Sequence, residues 1–183
     1  MLLDTPICDF GWQAPDFTLA DVHGNRHSMS EQLNGNGLLI AFICNHCPYV
    51  LAVAERLASD MRELQAEGIN VLAIMPNDYQ SYPQDNPNNM SLFAKKYDFS
   101  FAYLIDHDQS VARAYKAVCT PDFFGFNKRG ELQYRGRLDD AKMDSSKQRN
   151  KELVNAMLQV AKTGQGPKEQ FASMGCSIKW LAE

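Results

Sequence analysis

With 183 residues, 45% hydrophobic and 22% charged, the chain has the size and balance of one soluble globular domain spanning residues 1–183. A net charge of −4 without a basic cluster argues against nucleic acid or an anionic membrane as partner, and no apolar run is long enough to span a bilayer. The opening Met1-Leu2-Leu3-Asp4-Thr5-Pro6 lacks the basic start and long apolar stretch of a secretory signal, so a cytoplasmic protein is expected, although a mature chain freed of its signal would read the same.

In chain order, Ala14 to Leu19 reads as a short strand, Asp21 to Arg26 supplies turn chemistry, and His27-Ser28-Met29 returns as the second arm of an N-terminal β-hairpin. The apolar run Leu38 to Ile43 is a central buried strand. A helix follows from Tyr49 to Ala66, with Val50, Val53, Ala54, Leu57, Met61 and Leu64 at helical spacing and Gly68 ending it. Ile69 to Met75 is a second buried strand. The polar stretch 77–89, rich in Asn, Pro, Gln and Tyr, reads as a surface insertion rather than a linker, because composition does not change across it.

Met90 to Tyr97 is a short helix and Phe101 to Ile105 a strand; Asp108 is the expected N-cap of a helix over 110–117. Asp122 to Phe126, the turn Asn127-Lys128-Arg129-Gly130 and Leu132 to Arg137 form a hairpin, and residues 149–162 a last amphipathic helix. Residues 164–183 read as a C-terminal tail. The implied fold class is α/β: one central mixed sheet with helices on both faces.

Cys44-Asn45-His46-Cys47-Pro48 lies where the central strand gives way to the long helix. Two thiols at i and i+3 across such a turn can close a small disulfide ring, and the free N–H groups of the helix start favour a thiolate. Thiolate is the reactive form, so the pair is a candidate redox centre. Five scattered cysteines (Cys8, Cys44, Cys47, Cys119, Cys176) do not make a stapled framework, and in a reducing cytosol such a pair is more often catalytic, redox-sensing or metal-binding. Cys44 is expected to be the nucleophile, nearer the helix start and more exposed, with Cys47 the buried resolving thiol. The metal alternative is half of a zinc site that Cys119 with His46 or Cys176 would complete; with no second CxxC or paired histidines in the sequence, no metal and no cofactor is expected.

The element order, with CxxC at the first strand-to-helix junction, resembles the thioredoxin fold, and the hairpin and insertion resemble its redoxin branch. Ala14-Pro15-Asp16-Phe17-Thr18-Leu19, Asn45-His46-Cys47-Pro48-Tyr49-Val50, Cys119-Thr120-Pro121-Asp122-Phe123-Phe124, Tyr134-Arg135-Gly136-Arg137-Leu138-Asp139-Asp140 and Gly175-Cys176-Ser177-Ile178-Lys179-Trp180 together resemble thioredoxin-like redoxins of the AhpC/TSA type, described as thiol–disulfide isomerase or thioredoxin. The resemblance implies a thiol–disulfide oxidoreductase that exchanges a Cys44–Cys47 couple with disulfide-containing proteins or small molecules. It makes Thr120-Pro121 the cis-proline wall facing the CxxC, with no proline N–H to bond a sulfur and with Thr120 backbone free to pair with substrate. It also resembles the periplasmic dithiol oxidases in carrying a histidine between the cysteines: His46 as imidazolium beside Cys44 would favour the thiolate and make the disulfide more oxidising, or else it is simply solvated.

The enzymatic rival is a peroxiredoxin-like antioxidant peroxidase. Such enzymes place a proline seven residues and a threonine or serine three residues before the reactive cysteine, where this chain has Gly37 and Ala41 before Cys44, and Ile40 and Cys44 before Cys47. On the reductase side, Leu38 and Val50 stand where related enzymes carry an acidic proton acceptor, which leaves His46 or water for that task. Cys119 is read either as a further redox thiol or as a small buried apolar side chain, and Cys176 as a distal resolving thiol or a core filler. Arg135, Arg137, Asp139 and Asp140 read as a solvated, salt-bridged loop, with substrate docking as the alternative; Tyr49, Phe124 and Trp180 as core aromatics or the lining of a groove beside Cys44. From another class, the same thiols would serve a non-catalytic redox sensor or metal-binding adaptor.

Overall fold

The computed structural model describes residues 1–33 and 35–182. In chain order its elements are β1 (Leu2–Asp4), β2 (Thr18–Asp21), β3 (Arg26–Ser28), α1 (Met29–Gln32), β4 (Leu38–Phe42), α2 (Pro48–Ala66), β5 (Asn70–Met75), a 3-10 turn at Pro83–Asp85, α3 (Pro87–Lys96), β6 (Ala102–Ile105), α4 (Ser110–Ala114), β7 (Cys119–Thr120), β8 (Asp122–Phe126), β9 (Leu132–Tyr134), α5 (Glu152–Thr163) and β10 (Met174–Ser177).

The main sheet runs β3-β2-β6-β5-β4-β8-β9, with β4, β5 and β6 mutually parallel and the outer strands antiparallel. β4 is buried on both faces because its side chains alternate between two cores. Leu39, Ala41 and Ile43 meet the apolar stripes of α2, α3 and α5 on one side. Leu38, Ile40 and Phe42 join α4 and an aromatic cluster around Tyr115 on the other. The mixed α/β architecture expected from the sequence is the one observed.

α2 begins with Pro48 in its first turn, where the missing N–H costs nothing, and stops before Gly68, whose φ of +77° an L side chain rarely adopts. The expected Asp108 cap is shared: Gln109 occupies the N-cap position, while Asp108 accepts the Ser110 amide at 3.0 Å and Asp106 accepts those of Val111 and Ala112.

The tail expected at residues 164–183 is more than a tail, apart from Glu183, which lies outside the described residues. β10 inserts between β1 and β7 in a second, three-stranded sheet, so that Cys176 pairs with Thr120 and Ser177 with Cys119. Gly175 allows this closeness: a Cβ there would lie 2.0 Å from the Thr120 carbonyl oxygen.

Nor is the patch after β9 a solvated loop. Arg135 is buried and paired with buried Asp122 at 2.9 Å; Asp139 is buried between Arg56 at 2.9 Å and Arg149 at 3.2 Å. Arg149 also grips Asp60 of α2 at 2.6 Å, which pins the stretch before α5 onto that helix. Arg137 pairs with Glu152 at 2.7 Å, and Asp140 alone of the four is exposed. Among the described residues no helix is long and apolar enough to cross a membrane.

Candidate active site

β4 delivers Cys44 just past its last residue, and the turn Asn45-His46 carries the chain to Cys47, the N-cap of α2. Facing them is the cis Thr120-Pro121 bond between β7 and β8. Thr120 holds both sulfurs: its Oγ1 lies 3.2 Å from Cys44 Sγ, and its carbonyl accepts from the Cys47 thiol at 3.1 Å. Cys44, Cys47, Thr120 and Pro121 are thus brought together, but the Thr120 backbone is not free for a substrate as expected, since it lies opposite Cys176 in the ladder and its carbonyl meets Cys47.

Cys47 is buried as expected, at 0% exposure, and Cys44 at 1% is scarcely more open, so neither sulfur stands at the surface. Cys47, not Cys44, sits at the helix start, because the helix opens only at Pro48. The charge preference follows that placement. A hydrogen bond from Cys44, together with hydrogen bonds from Cys176 and the Val50 amide, outweighs burial and brings the Cys47 thiol down to about 4. Cys44 is pushed well up, by that same bond to Cys47, then by burial and by the nearby Asp85 carboxylate.

Asp85 is the residue that sequence reasoning missed. It is fully buried at the end of the 3-10 turn in the polar insertion, so that segment is not merely surface. Its Oδ1 accepts the Asn45 amide at 2.8 Å, and its Oδ2 accepts from Asn77 Nδ2 at 2.8 Å. Tyr103 donates to Asn45 Oδ1 at 3.0 Å and bonds the Ile43 carbonyl at 3.3 Å, holding the turn from the other side. The only hint in the sequence was a turn-rich polar run too long for a simple connection.

His46 is paired with Asp85, with a ring nitrogen still within 4.8 Å of the Cys44 sulfur. Its Nδ1 lies 2.8 Å from Asp85 Oδ2, and its ring stacks on Tyr82 at 5.9 Å and 4°. The imidazole is thus committed to a carboxylate and a ring, and the thiolate is favoured at Cys47 by the helix start and neighbouring thiols instead.

Cys176 is half-buried beside Cys47, and its thiol is raised to about 11, by burial first and then by its hydrogen bond to Cys47. Cys119 is fully buried, points its thiol to the Pro121 carbonyl at 3.7 Å and is kept protonated by burial and then by Asp122. Of the two readings for Cys119, that environment fits the small buried side chain. Phe124 belongs to the core on the far side of the sheet, beneath the Arg135 guanidinium at 4.3 Å, and Trp180 is exposed under Arg113 at 4.6 Å. Of the three aromatics, Tyr49 lines a groove, a cavity of about 590 Å³ shared with Val53, Pro121, Phe123, Leu138, Phe171 and Met174 and edged by Asp4, Arg137, Asp139 and Lys142. His23 and His107 are exposed, and His27 is half-buried against Asp21 at 3.2 Å.

This geometry has relatives. The chain is 28% identical over 127 residues to the thiol–disulfide oxidoreductase ResA of Geobacillus thermodenitrificans, a match covering 67% of this chain and 66% of that protein, so the chain spans about two thirds of that relative's length. A solved structure of a hypothetical protein from Sinorhizobium meliloti is 38% identical, superposes with a TM-score of 0.92 and covers 98% of both chains. The thioredoxin domain of a thiol–disulfide oxidoreductase from Bacteroides vulgatus, 15% identical, covers 83% of this chain and 97% of that one with a TM-score of 0.64, a likeness of fold. The fold is thioredoxin-like, with the CxxC at its first strand-to-helix junction and the cis-proline opposite. The AhpC/TSA family model matches residues 10–135, from before the hairpin to the end of the main sheet, and the chain belongs to that family.

Proposed function

We propose that the protein is an enzyme, a thiol–disulfide oxidoreductase that cycles the Cys44–Cys47 couple between dithiol and disulfide. The observation that carries the reading is the pair of hydrogen-bonded thiols held by Thr120 beside the cis-proline, one of them favoured as thiolate. Relatives bearing the name thiol–disulfide oxidoreductase support it.

In the reducing direction, a thiolate of the pair attacks one sulfur of a substrate disulfide. An S–S bond breaks, and the departing substrate thiolate takes the proton of the remaining thiol. That second cysteine, now a thiolate, attacks the enzyme's sulfur in the mixed disulfide, releasing the second substrate thiolate and leaving the Cys44–Cys47 disulfide. Two electrons pass to the substrate, and a thiol donor restores the dithiol.

The substrate is a disulfide-containing protein or small molecule. An apolar segment beside its disulfide would lie in the Tyr49, Pro121 and Phe171 groove. The setting is the cytoplasm, where a cysteine pair is kept for exchange rather than for scaffold staples. The test is insulin-disulfide reduction with a thiol donor, alongside hydrogen peroxide consumption. Cys44→Ser and Cys47→Ser should each abolish disulfide turnover. Turnover that survives both substitutions, or peroxide consumption as fast as disulfide exchange, overturns the proposal.

A further inference from the structure

The Cys44 sulfur, an imidazole nitrogen of His46 and an Asp85 carboxylate oxygen lie within 4.8 Å of one another. We propose that these three residues form a binding site for a divalent cation of zinc-like softness, filled in the reduced protein and lost when Cys44 joins Cys47 in a disulfide. One thiolate, one imidazole and one carboxylate are ligand types zinc accepts, and three protein ligands leave a fourth position for water.

Two independent features point to a cation there. His46 Nδ1 is buried and has no aligned hydrogen-bond partner, although a carboxylate oxygen stands 2.8 Å away. A proton on that nitrogen would be poorly aligned with the carboxylate, whereas a cation bonded to both atoms would use the nitrogen and the oxygen together. Asp85 itself is fully buried, and its ion-pair partner among the described residues is the partly exposed His46. A buried carboxylate with so little compensating charge is costly unless it is paired or holds a metal.

The surroundings fit a ligand set rather than a chance contact. The Asn45 amide and Asn77 side chain fix both carboxylate oxygens, and Tyr82 stacks on the imidazole. Such outer contacts orient ligands and tune their basicity. Cys47 is not one of the three: its sulfur meets the Cys44 sulfur and the Thr120 carbonyl. Binding displaces the Cys44 proton as the thiolate coordinates. Oxidation by a disulfide R–S–S–R forms the Cys44–Cys47 bond, releases two R–S⁻ that take their protons from water, and leaves the cation with imidazole and carboxylate only. Metal binding and dithiol exchange therefore compete for Cys44.

The test is anaerobic titration of the fully reduced protein with Co²⁺, displaced afterwards by Zn²⁺. One equivalent should bind with a thiolate-to-cobalt charge-transfer band. His46→Ala and Asp85→Asn should each weaken it by about 10- to 100-fold. Cys47→Ser should retain it, and protein oxidised with glutathione disulfide should not bind. Absence of binding to the reduced protein, binding indifferent to His46→Ala, or binding lost in Cys47→Ser would each overturn the site. If Asp85→Asn fails to fold by circular dichroism, the half-exposed His46 decides the matter. Insulin reduction by metal-free protein is a separate readout, so loss of either reading leaves the other standing.

Discussion

Cys176 stands directly opposite Thr120 in the β10–β7 ladder, and the carbonyl of that same Thr120 accepts the hydrogen bond of the Cys47 thiol at 3.1 Å. A third thiol is thereby placed against a buried CxxC, and it is the one of the three that reaches the surface. Oxidising the Cys44→Ser variant with glutathione disulfide should give an intramolecular Cys47–Cys176 disulfide, found by peptide mapping. Two unlinked cysteines, free or glutathionylated, would show that Cys176 is only packing.

Reactivity should also identify the thiolate. With Cys47 brought down to about 4 and Cys44 pushed up, limited alkylation of the reduced protein at mildly acidic pH should label Cys47 first. Replacing Cys44 by alanine removes the main stabilising hydrogen bond, so the Cys47 profile should move up towards the ordinary thiol value. A profile that labels Cys44 first, centred near that ordinary value, contradicts the assignment.

The same shifts set a pH dependence of stability. Cys47 is depressed in the folded protein, so its contribution is complete above its ordinary value of 9.0 and disappears as pH falls through about 4. Cys44 is raised, so its contribution is complete below 9.0 and fades at more alkaline pH. Urea unfolding of the reduced protein should show the part of stability that depends on these thiols climbing from about pH 4 to 9 and declining above. In Cys47→Ser that climb should flatten; an unchanged slope would remove Cys47 as its source.

Gly175→Ala tests how the second sheet shapes the site. The added methyl would meet the Thr120 carbonyl and the Pro121 nitrogen, neither of which is a flexible side-chain end. Overpacking of this kind costs about 1–3 kcal/mol. Displacing β10 from β7 should also slow disulfide turnover at least as much as it lowers stability. Full activity in a destabilised protein would mean that β10 holds only the termini.

Arg149→Met should be the most damaging of the surface-side changes. It leaves buried Asp60 without its bidentate partner and Asp139 with Arg56 alone. Breaking a buried pair from one side costs about 3–5 kcal/mol, whereas Arg149→Met with Asp60→Leu should recover much of it. Urea midpoints measure both. A loss within experimental scatter for the single variant would make the network a surface ornament.

The central strand, the long helix and the CxxC between them could be read directly, because an apolar run and a helical period are local signals that encode both an element and its buried face. Thr120-Pro121 became legible only through resemblance, since proline by itself does not say what it faces. Asp85 escaped because it reaches Cys44 from a polar insertion some forty residues along the chain, and the route of a loop carries no periodicity. The pairing of Cys176 with Thr120 and of Arg135 with Asp122 escaped for the same reason. Chemistry-bearing residue types are written locally, but their burial, charge partners and order of reaction depend on what distant segments pack over them. Here that packing put Cys47 rather than Cys44 at the helix start and brought Asp85 against His46.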